Sequence, residues 1–226
     1  MPKNNKTKAA QAAAKEARQP VPETTHGILD IFEAGLKKKK NIIIGAAIAV
    51  LAIAALWGVW EHIEHQKYQK QWGNLFMAEL AFINSEDRSL KPLEVFAAQN
   101  AKTDAGVYAA FTLGNAYYQL RDYIKAETYF KQAMAHGNKN MAPLAEVSLI
   151  AAQVAAADYK GAIAQADSFA AKYPAHFAMA QIKHYRAMAQ ELAGYVIARQ
   201  SYQEIERDYP NTYYAAFARQ RLAEMK

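Results

Sequence analysis

The distribution of hydrophobic residues divides the chain into segments of different character. Residues 1–24 are mostly polar, the segment from Ile42 to Trp60 contains no charged side chain, and the rest mixes apolar and polar positions. From Tyr68 onward the apolar positions recur at steps of three and four, the spacing of one face of an α-helix. The pattern predicts an all-α protein, with a single N-terminal transmembrane helix followed by a solenoid of amphipathic helices.

The uncharged segment has the length and composition of a membrane-spanning helix. A helix of this length spans about 28 Å, close to the hydrocarbon thickness of a bilayer. Amphipathic rings at one end and cations at the other mark its limits: Trp57 and Trp60, against Lys37, Lys38, Lys39 and Lys40. The positive-inside rule places the N-terminus in the cytoplasm and the following domain outside, which in a bacterial inner membrane is the periplasm.

Two other readings of the uncharged segment remain open. A buried core helix can be as apolar, although lysines at one end and tryptophans at the other are typical of a membrane helix. A cleaved signal peptide is also possible, because Ala52-Ile53-Ala54 has the small-x-small form of a cleavage site. The 40-residue tail before the segment is far longer than an ordinary leader, so we expect an uncleaved anchor.

The net charge of +6 belongs almost entirely to the N-terminal tail. Residues 1–40 hold nine Lys and Arg against four Asp and Glu, whereas residues 61–226 hold eighteen against seventeen. We therefore expect a basic cytoplasmic tail over 1–40 that contacts anionic lipid, with the apolar residues between Ile28 and Leu36 on one side of a short helix. No nucleic-acid motif accompanies the charge, so no nucleic-acid partner is expected.

The sequence also predicts how the remaining chain is divided. The transmembrane helix covers 41–60, juxtamembrane helices cover 61–104 and the repeats cover 105–226. The juxtamembrane part continues as a helix to about Asn84, and we expect its apolar stripe, which includes Trp72, Leu75, Phe76 and Ile83, to pack against the domain that follows.

The second half of the chain contains an internal repeat of 36 residues. Ala126, Ala162 and Ala198 follow this period. Three more sets share it: Tyr123, Tyr159 and Tyr195; Leu113, Leu149 and Tyr185; Asn138, Pro174 and Pro210. Each unit is predicted to be two antiparallel helices, in which the small alanine permits a close approach. One unit cannot bury its own apolar face, so the units must stack.

The repeat resembles the tetratricopeptide repeat. Leu113-Gly114, Tyr117, Ala126, Phe130 and Ala133 match its signature positions in the first unit, whereas the second unit has Ile150 for the glycine and Ala166 for the aromatic residue. The resemblance implies a concave face made by the first helix of each unit. Its candidate partner-binding residues are Tyr108, Phe111, Asn115, Tyr118 and Gln119; Leu144, Val147 and Val154; and Lys183 and Gln190. Alternatively, the helices over Leu75–Asn100 fold back and fill the part of this face that belongs to the first unit.

The order of tail, anchor and repeats, with the pattern around Phe96-Ala97-Ala98-Gln99-Asn100 and Leu113 to Gln132, is similar to that of the YfgM-like family of ancillary SecYEG translocon subunits. The resemblance implies a membrane-anchored periplasmic scaffold that links the SecYEG translocon to a parvulin-like chaperone. Tyr173-Pro174 and Tyr209-Pro210 depart from that family and are more similar to repeat proteins of envelope assembly. An adaptor for envelope assembly or cell division is therefore the alternative function.

Nothing in the sequence points to catalysis or to a cofactor. It shows no serine, histidine and aspartate constellation, no phosphate-binding glycine loop and no pair of carboxylates on a shared face, so we expect no enzyme. The chain has no cysteine, which excludes disulfides, thiolate metal sites and a lipid anchor on cysteine. A metal site built around Glu61, His62 and His65 is a minor alternative. It is disfavoured because no third ligand accompanies the two histidines.

Overall fold

The computed structural model describes residues 24–85 and 88–225, and at residues 24–34, 36 and 38 it describes the backbone alone. Within these ranges the chain forms nine α-helices and no strand. The helices are α1 (Thr24–Asn84), α2 (Lys91–Gln99), α3 (Asp104–Gln119), α4 (Tyr123–His136), α5 (Met141–Ala155), α6 (Tyr159–Lys172), α7 (Met179–Leu192), α8 (Ala198–Asp208) and α9 (Tyr213–Glu224). The all-α fold is therefore confirmed.

The chain divides into two compact units, Met1–Gln66 and Lys67–Lys226. In the compact unit Met1–Gln66, helix α1 contains a stretch of mean hydropathy 2.6, and none of this stretch is buried within the protein. Ile42, Leu51 and Leu56 each expose about 70% of their surface. The helix is long and apolar enough to cross a membrane. The predicted tail over 1–23 lies outside the described residues, as do the side chains of the predicted amphipathic segment between Ile28 and Leu36.

The compact unit Lys67–Lys226 is a repeat-like stack of helical hairpins. From α2 to α9 each helix packs against the next, and α3 also packs against α5, α5 against α7 and α7 against α9. These contacts between alternate helices are those of a solenoid in which each hairpin touches only its neighbours. The unit begins at residue 67, so the segment 67–104 shares one core with the repeats: Leu75, Leu93 and Phe96 pack with Leu113 and Tyr117.

Side-chain caps define where several helices begin. The Asp122 carboxylate accepts a hydrogen bond from the backbone N–H of Lys125, and the Asp158 carboxylate accepts one from that of Gly161. Each cap satisfies one of the N–H groups that the first turn of a helix leaves unpaired. Because the two aspartates are 36 residues apart, α4 and α6 begin at equivalent positions of their units.

The 36-residue period is visible in the core. Three positions in the second helix of each unit are at most 2% exposed in all three units: Ala126, Ala162 and Ala198; Phe130, Ala166 and Tyr202; Ala133, Phe169 and Ile205. Burial of the same positions in α4, α6 and α8 shows that these helices present equivalent faces to the core. The repeat found in the sequence is therefore a structural repeat.

The departures of the second unit from the tetratricopeptide pattern compensate one another in volume. In the first unit a Cβ atom at Gly114 would lie 2.5 Å from two carbons of the Phe130 ring, so only glycine fits beside that phenylalanine. The equivalent residues of the second unit are Ile150 and Ala166, both fully buried in one cluster. The large and small side chains have exchanged places between the two helices, which keeps the hairpin filled.

Helix α7 is offset by one residue from the 36-residue period. The turns after α3, α5 and α7 contain one left-handed residue each, Arg121, Ala157 and Gly194, and the last of these is one residue later than the period requires. The N–H of Tyr195 donates to the Gln190 carbonyl, just as the N–H groups of Asp122 and Asp158 donate to carbonyls in α3 and α5. Glycine suits such a turn because it adopts a positive φ without strain.

The apolar stripe at the C-terminal end of α1 is only partly covered by the repeats. Leu75 is buried, and the Trp72 ring packs against Tyr108 at a centroid distance of 5.8 Å. Phe76 and Ile83 are 57% and 66% exposed. The prediction that the whole stripe packs against the repeats is therefore wrong for Phe76 and Ile83, which lie on a different face of α1 from Leu75.

Candidate functional site: a groove across three repeats

The first helices of three successive units meet around a cavity of about 190 Å³. Helix α3 contributes Asn115 and Tyr118, α5 contributes Val147, Ser148 and Ala151, and α7 contributes Gln181 and Tyr185, with the Phe130 ring of α4 at the base. We call this cavity the inner groove. It forms because α3, α5 and α7 pack against one another in alternate contacts, which brings residues far apart in sequence to one surface.

Three of the predicted concave-face residues line the inner groove: Asn115, Tyr118 and Val147. Their agreement with the sequence follows from the regular 36-residue spacing between α3 and α5. Tyr118 is also fixed by an edge-on contact with Tyr123 at a centroid distance of 5.5 Å.

Five other predicted residues lie on or near these helices but do not line the groove. Phe111 is half-buried against Phe130, and the Trp72 ring packs against the Tyr108 ring. The exposed side chains of Gln119 and Leu144 lie outside the groove, and Val154 is buried in a core cluster. The C-terminal part of α1 thus contacts the first unit at Tyr108, while the inner groove stays open at Asn115 and Tyr118.

Lys183 and Gln190 are the two predicted residues that the structure places elsewhere. Gln190 is buried and accepts a hydrogen bond of 2.6 Å from the Ser201 hydroxyl on α8. Lys183 pairs with Asp208 at 3.1 Å and lies over the Tyr209 ring, also on the α8 side. For Lys183 the cause is the one-residue offset of α7, because a period of 36 aligns it with Val147, which lines the groove. Gln190 is buried, as is Val154, the residue 36 positions before it.

An equivalent ion pair in the second unit supports the corrected register. Glu146 of α5, which is 1% exposed, accepts hydrogen bonds from Gln165 and Lys172 of α6. Residue 208 follows Lys172 by 36, whereas Lys183 follows Glu146 by 37. The two bridges thus join the same pair of helices in successive units with their charges exchanged, and both point away from the inner groove.

The inner groove is lined by uncharged groups that can hydrogen-bond. The Gln181 amide donates to the Tyr185 hydroxyl at 3.0 Å, and Asn115 and Ser148 add an amide and a hydroxyl. Burial, together with the neighbouring Tyr185 and Tyr123, raises the pKa of Tyr118, so its hydroxyl stays protonated. The groove therefore offers donors and acceptors beside apolar surface from Phe130, Val147 and Ala151, without a charge.

Sequence reasoning missed Ser148, Gln181 and Tyr185. Gln181 and Tyr185 were missed because α7 is offset by one residue. The position of Gly194 in the sequence could have revealed this offset. Alignment of this glycine with Arg121 and Ala157 as the left-handed residue of its turn moves Gln181 and Tyr185 onto the inner face.

The residues expected to orient the anchor lie on α1. Lys37, Lys39 and Lys40 are exposed, and the side chain of Lys38 lies outside the described residues. The Trp57 and Trp60 rings contact each other edge to face at a centroid distance of 6.1 Å and are both about 60% exposed. The exposed side chains of Lys37, Lys39, Lys40, Trp57 and Trp60 suit groups at a membrane–water interface.

The histidine pair near the anchor is not part of a metal cluster in the described structure. His62 shares a hydrogen bond of 2.9 Å with the Gln66 amide. Among the residues that the structure describes, no three His, Asp or Glu side chains are grouped as metal ligands.

Comparison with family models finds no match to this chain, and comparison with curated proteins finds no relative. The similarity to the YfgM-like family remains a prediction from sequence.

Proposed function

We propose that this protein is a membrane-anchored scaffold, whose repeat unit binds an extended, uncharged segment of a partner protein in the inner groove. The observation that carries the proposal is the groove itself, built from side chains of α3, α5 and α7. Its volume of about 190 Å³ is below the roughly 300–1,000 Å³ of small-molecule sites. It suits one or two side chains of a peptide better than a cofactor or a metabolite.

The chemistry of the groove favours a neutral peptide. An extended chain presents unpaired N–H and C=O groups, which the amides of Asn115 and Gln181 and the hydroxyls of Ser148 and Tyr118 can satisfy. Apolar side chains of the partner would lie against Phe130 and Val147. A terminal carboxylate finds no cation among the lining residues, so an internal segment is the better ligand.

The anchor accounts for how the scaffold acts without chemistry of its own. Tethering confines the repeats to a membrane surface and raises their effective concentration for chains that emerge there. The basic tail would orient α1 with the N-terminus in the cytoplasm and would contact anionic lipid, which leaves the repeats on the periplasmic side of a bacterial inner membrane. The family resemblance supports the SecYEG translocon and a parvulin-like chaperone as the partners.

The test is affinity purification of the full-length chain from detergent-solubilised membranes, with the bound proteins identified by mass spectrometry. Tyr118→Ala removes a central groove side chain, and Tyr213→Ala is the matched control, because Tyr213 is 74% exposed and lies outside the groove. Truncation of a central tyrosine costs about 2 kcal/mol at an interface hot spot, so the affinity for the groove partner should fall by about thirtyfold and its recovery with it.

The two variants separate the possible outcomes. Loss of a partner from Tyr118→Ala alone supports the groove, whereas equal recovery with both variants would refute it. The identity of the lost partner decides between a translocon-associated chaperone and a component of envelope assembly or cell division. Crosslinks from positions within Ile42–Trp60 should reach translocon subunits, and their absence would leave the adaptor function.

A further inference from the structure

The two ends of the helical stack differ in polarity. At the C-terminal end, α9 turns Ala215 and Ala218 inward and exposes polar residues such as Arg219 and Gln220. At the other end, α1 exposes Phe76, Met77 and Ile83 by 57%, 63% and 66%. Terminal repeats of a solenoid normally carry a polar outer face, because nothing stacks on them. At this end of the stack, the exposed residues of α1 are apolar instead of polar.

Two of these exposed residues, Phe76 and Ile83, belong to one strip of the helix surface, together with the exposed Gly73 and the half-buried Leu80. Gly73, Phe76, Leu80 and Ile83 follow one another at steps of three, four and three, which is the spacing of a coiled-coil seam. We call them the α1 seam. The seam is separate from the face that carries Leu75 into the core, and it has room for close approach, since an added Cβ at Gly73 would meet no atom within 4 Å. Its shape therefore suits another helix.

We propose that the α1 seam packs against the same seam of a second copy of this chain, with the two helices parallel. Two copies anchored in one bilayer by the proposed membrane segment point in the same direction, and the seam follows the anchor by the same number of residues in each. A two-fold axis along such a pair brings each residue against its own counterpart. No seam residue is charged, so this arrangement places no like charges together.

The size of the seam fits an association that depends on the membrane. The seam residues Phe76 and Ile83 and the adjacent Met77 expose roughly 100 Å² each, so a symmetric pair buries at most roughly 600 Å² in total. Stable interfaces in solution bury about 1,200–2,000 Å². We therefore infer that the dimer needs the confinement of the bilayer, which raises the effective concentration of one copy near another.

Because the chain has no cysteine, single-cysteine variants test the proposal directly. The full-length Gly73→Cys variant is reconstituted in lipid vesicles, oxidised, and analysed for covalent dimer. The matched control is Asn74→Cys, which is also exposed and adjacent in sequence but lies about 100° further around α1. We expect about tenfold more dimer from Gly73→Cys, since disulfides need Cα atoms within about 7 Å.

Two further measurements make the result decisive. Ile83→Glu in the Gly73→Cys background should reduce the dimer several-fold while leaving the helical content unchanged, because Ile83 is exposed. Equal dimer yields from Gly73→Cys and Asn74→Cys would overturn the proposal. So would a native-membrane crosslink from residue 73 to another protein in place of a second copy. A Tyr118→Ala variant that still dimerises separates this result from any failure of the groove.

Discussion

Exchange of one large and one small side chain between two helices tests whether the first and second repeats are built on the same plan. Gly114 and Phe130 of the first repeat are equivalent to Ile150 and Ala166 of the second, so the large side chain is on the second helix in one repeat and on the first helix in the other. The variants are Gly114→Ile, Phe130→Ala and the double variant, which gives the first unit the pair found in the second.

Each single change has a separate cost. Phe130 is 1% exposed, so Phe130→Ala leaves a cavity and should cost about 3–5 kcal/mol of unfolding free energy. Gly114→Ile places a Cβ atom 2.5 Å from the Phe130 ring, and overpacking of this kind costs about 1–3 kcal/mol or more. In the double variant the isoleucine occupies the space that the ring has left. The double variant should therefore be more stable than the sum of the two losses predicts, by about 1–3 kcal/mol.

The assay is urea-induced unfolding of the full-length variants in mild detergent, followed by circular dichroism at 222 nm. The signal of the membrane segment serves as a constant background, because denaturant exposes mainly the repeats. If the losses of the two single variants add in the double variant, the two positions are not coupled, and the proposed equivalence of the units is refuted.

Two other predictions concern stability. Burial lowers the pKa of His184 from its ordinary 6.5 to about 4. Between pH 6.5 and pH 4 the unfolded chain therefore binds more protons than the folded chain. The unfolding free energy should fall by up to about 3 kcal/mol as the pH is lowered from 6.5 to 4. His184→Gln should flatten this decline in urea titrations at a series of pH values, and an unchanged profile would contradict the assignment. Asp122→Ala removes the cap on the Lys125 N–H and should cost about 1 kcal/mol, whereas Asp122→Ser should largely retain the stability; equal melting of the two variants would exclude a role for the cap.

The features that could be predicted from the sequence are those that repeat without interruption. The uncharged segment of α1 and the 36-residue spacing of buried alanines follow from hydrophobicity and period alone. The same spacing carried Asn115, Tyr118 and Val147 to the groove, because α3 and α5 keep one register.

The failures arose where a local change in chain length altered the geometry. The left-handed residue after α7 comes one residue later than the period requires, whereas the buried alanines of α6 and α8, Ala162 and Ala198, remain 36 residues apart. Counting residues over the whole unit cannot detect two changes that cancel. The exposure of Phe76 had a different cause, since its spacing on α1 is as compatible with burial as that of Leu75.

The offset of α7 separates what holds this stack together from what its inner surface displays. Helices α4, α6 and α8 keep their buried positions at a spacing of 36 residues, while a one-residue shift turns the neighbouring helix by about 100° and presents a different row of side chains. A repeat of this design can thus exchange its entire recognition surface when one residue moves from one loop to another. Diversity of binding can then arise through loop length, without a single substitution in the helix that makes the contact.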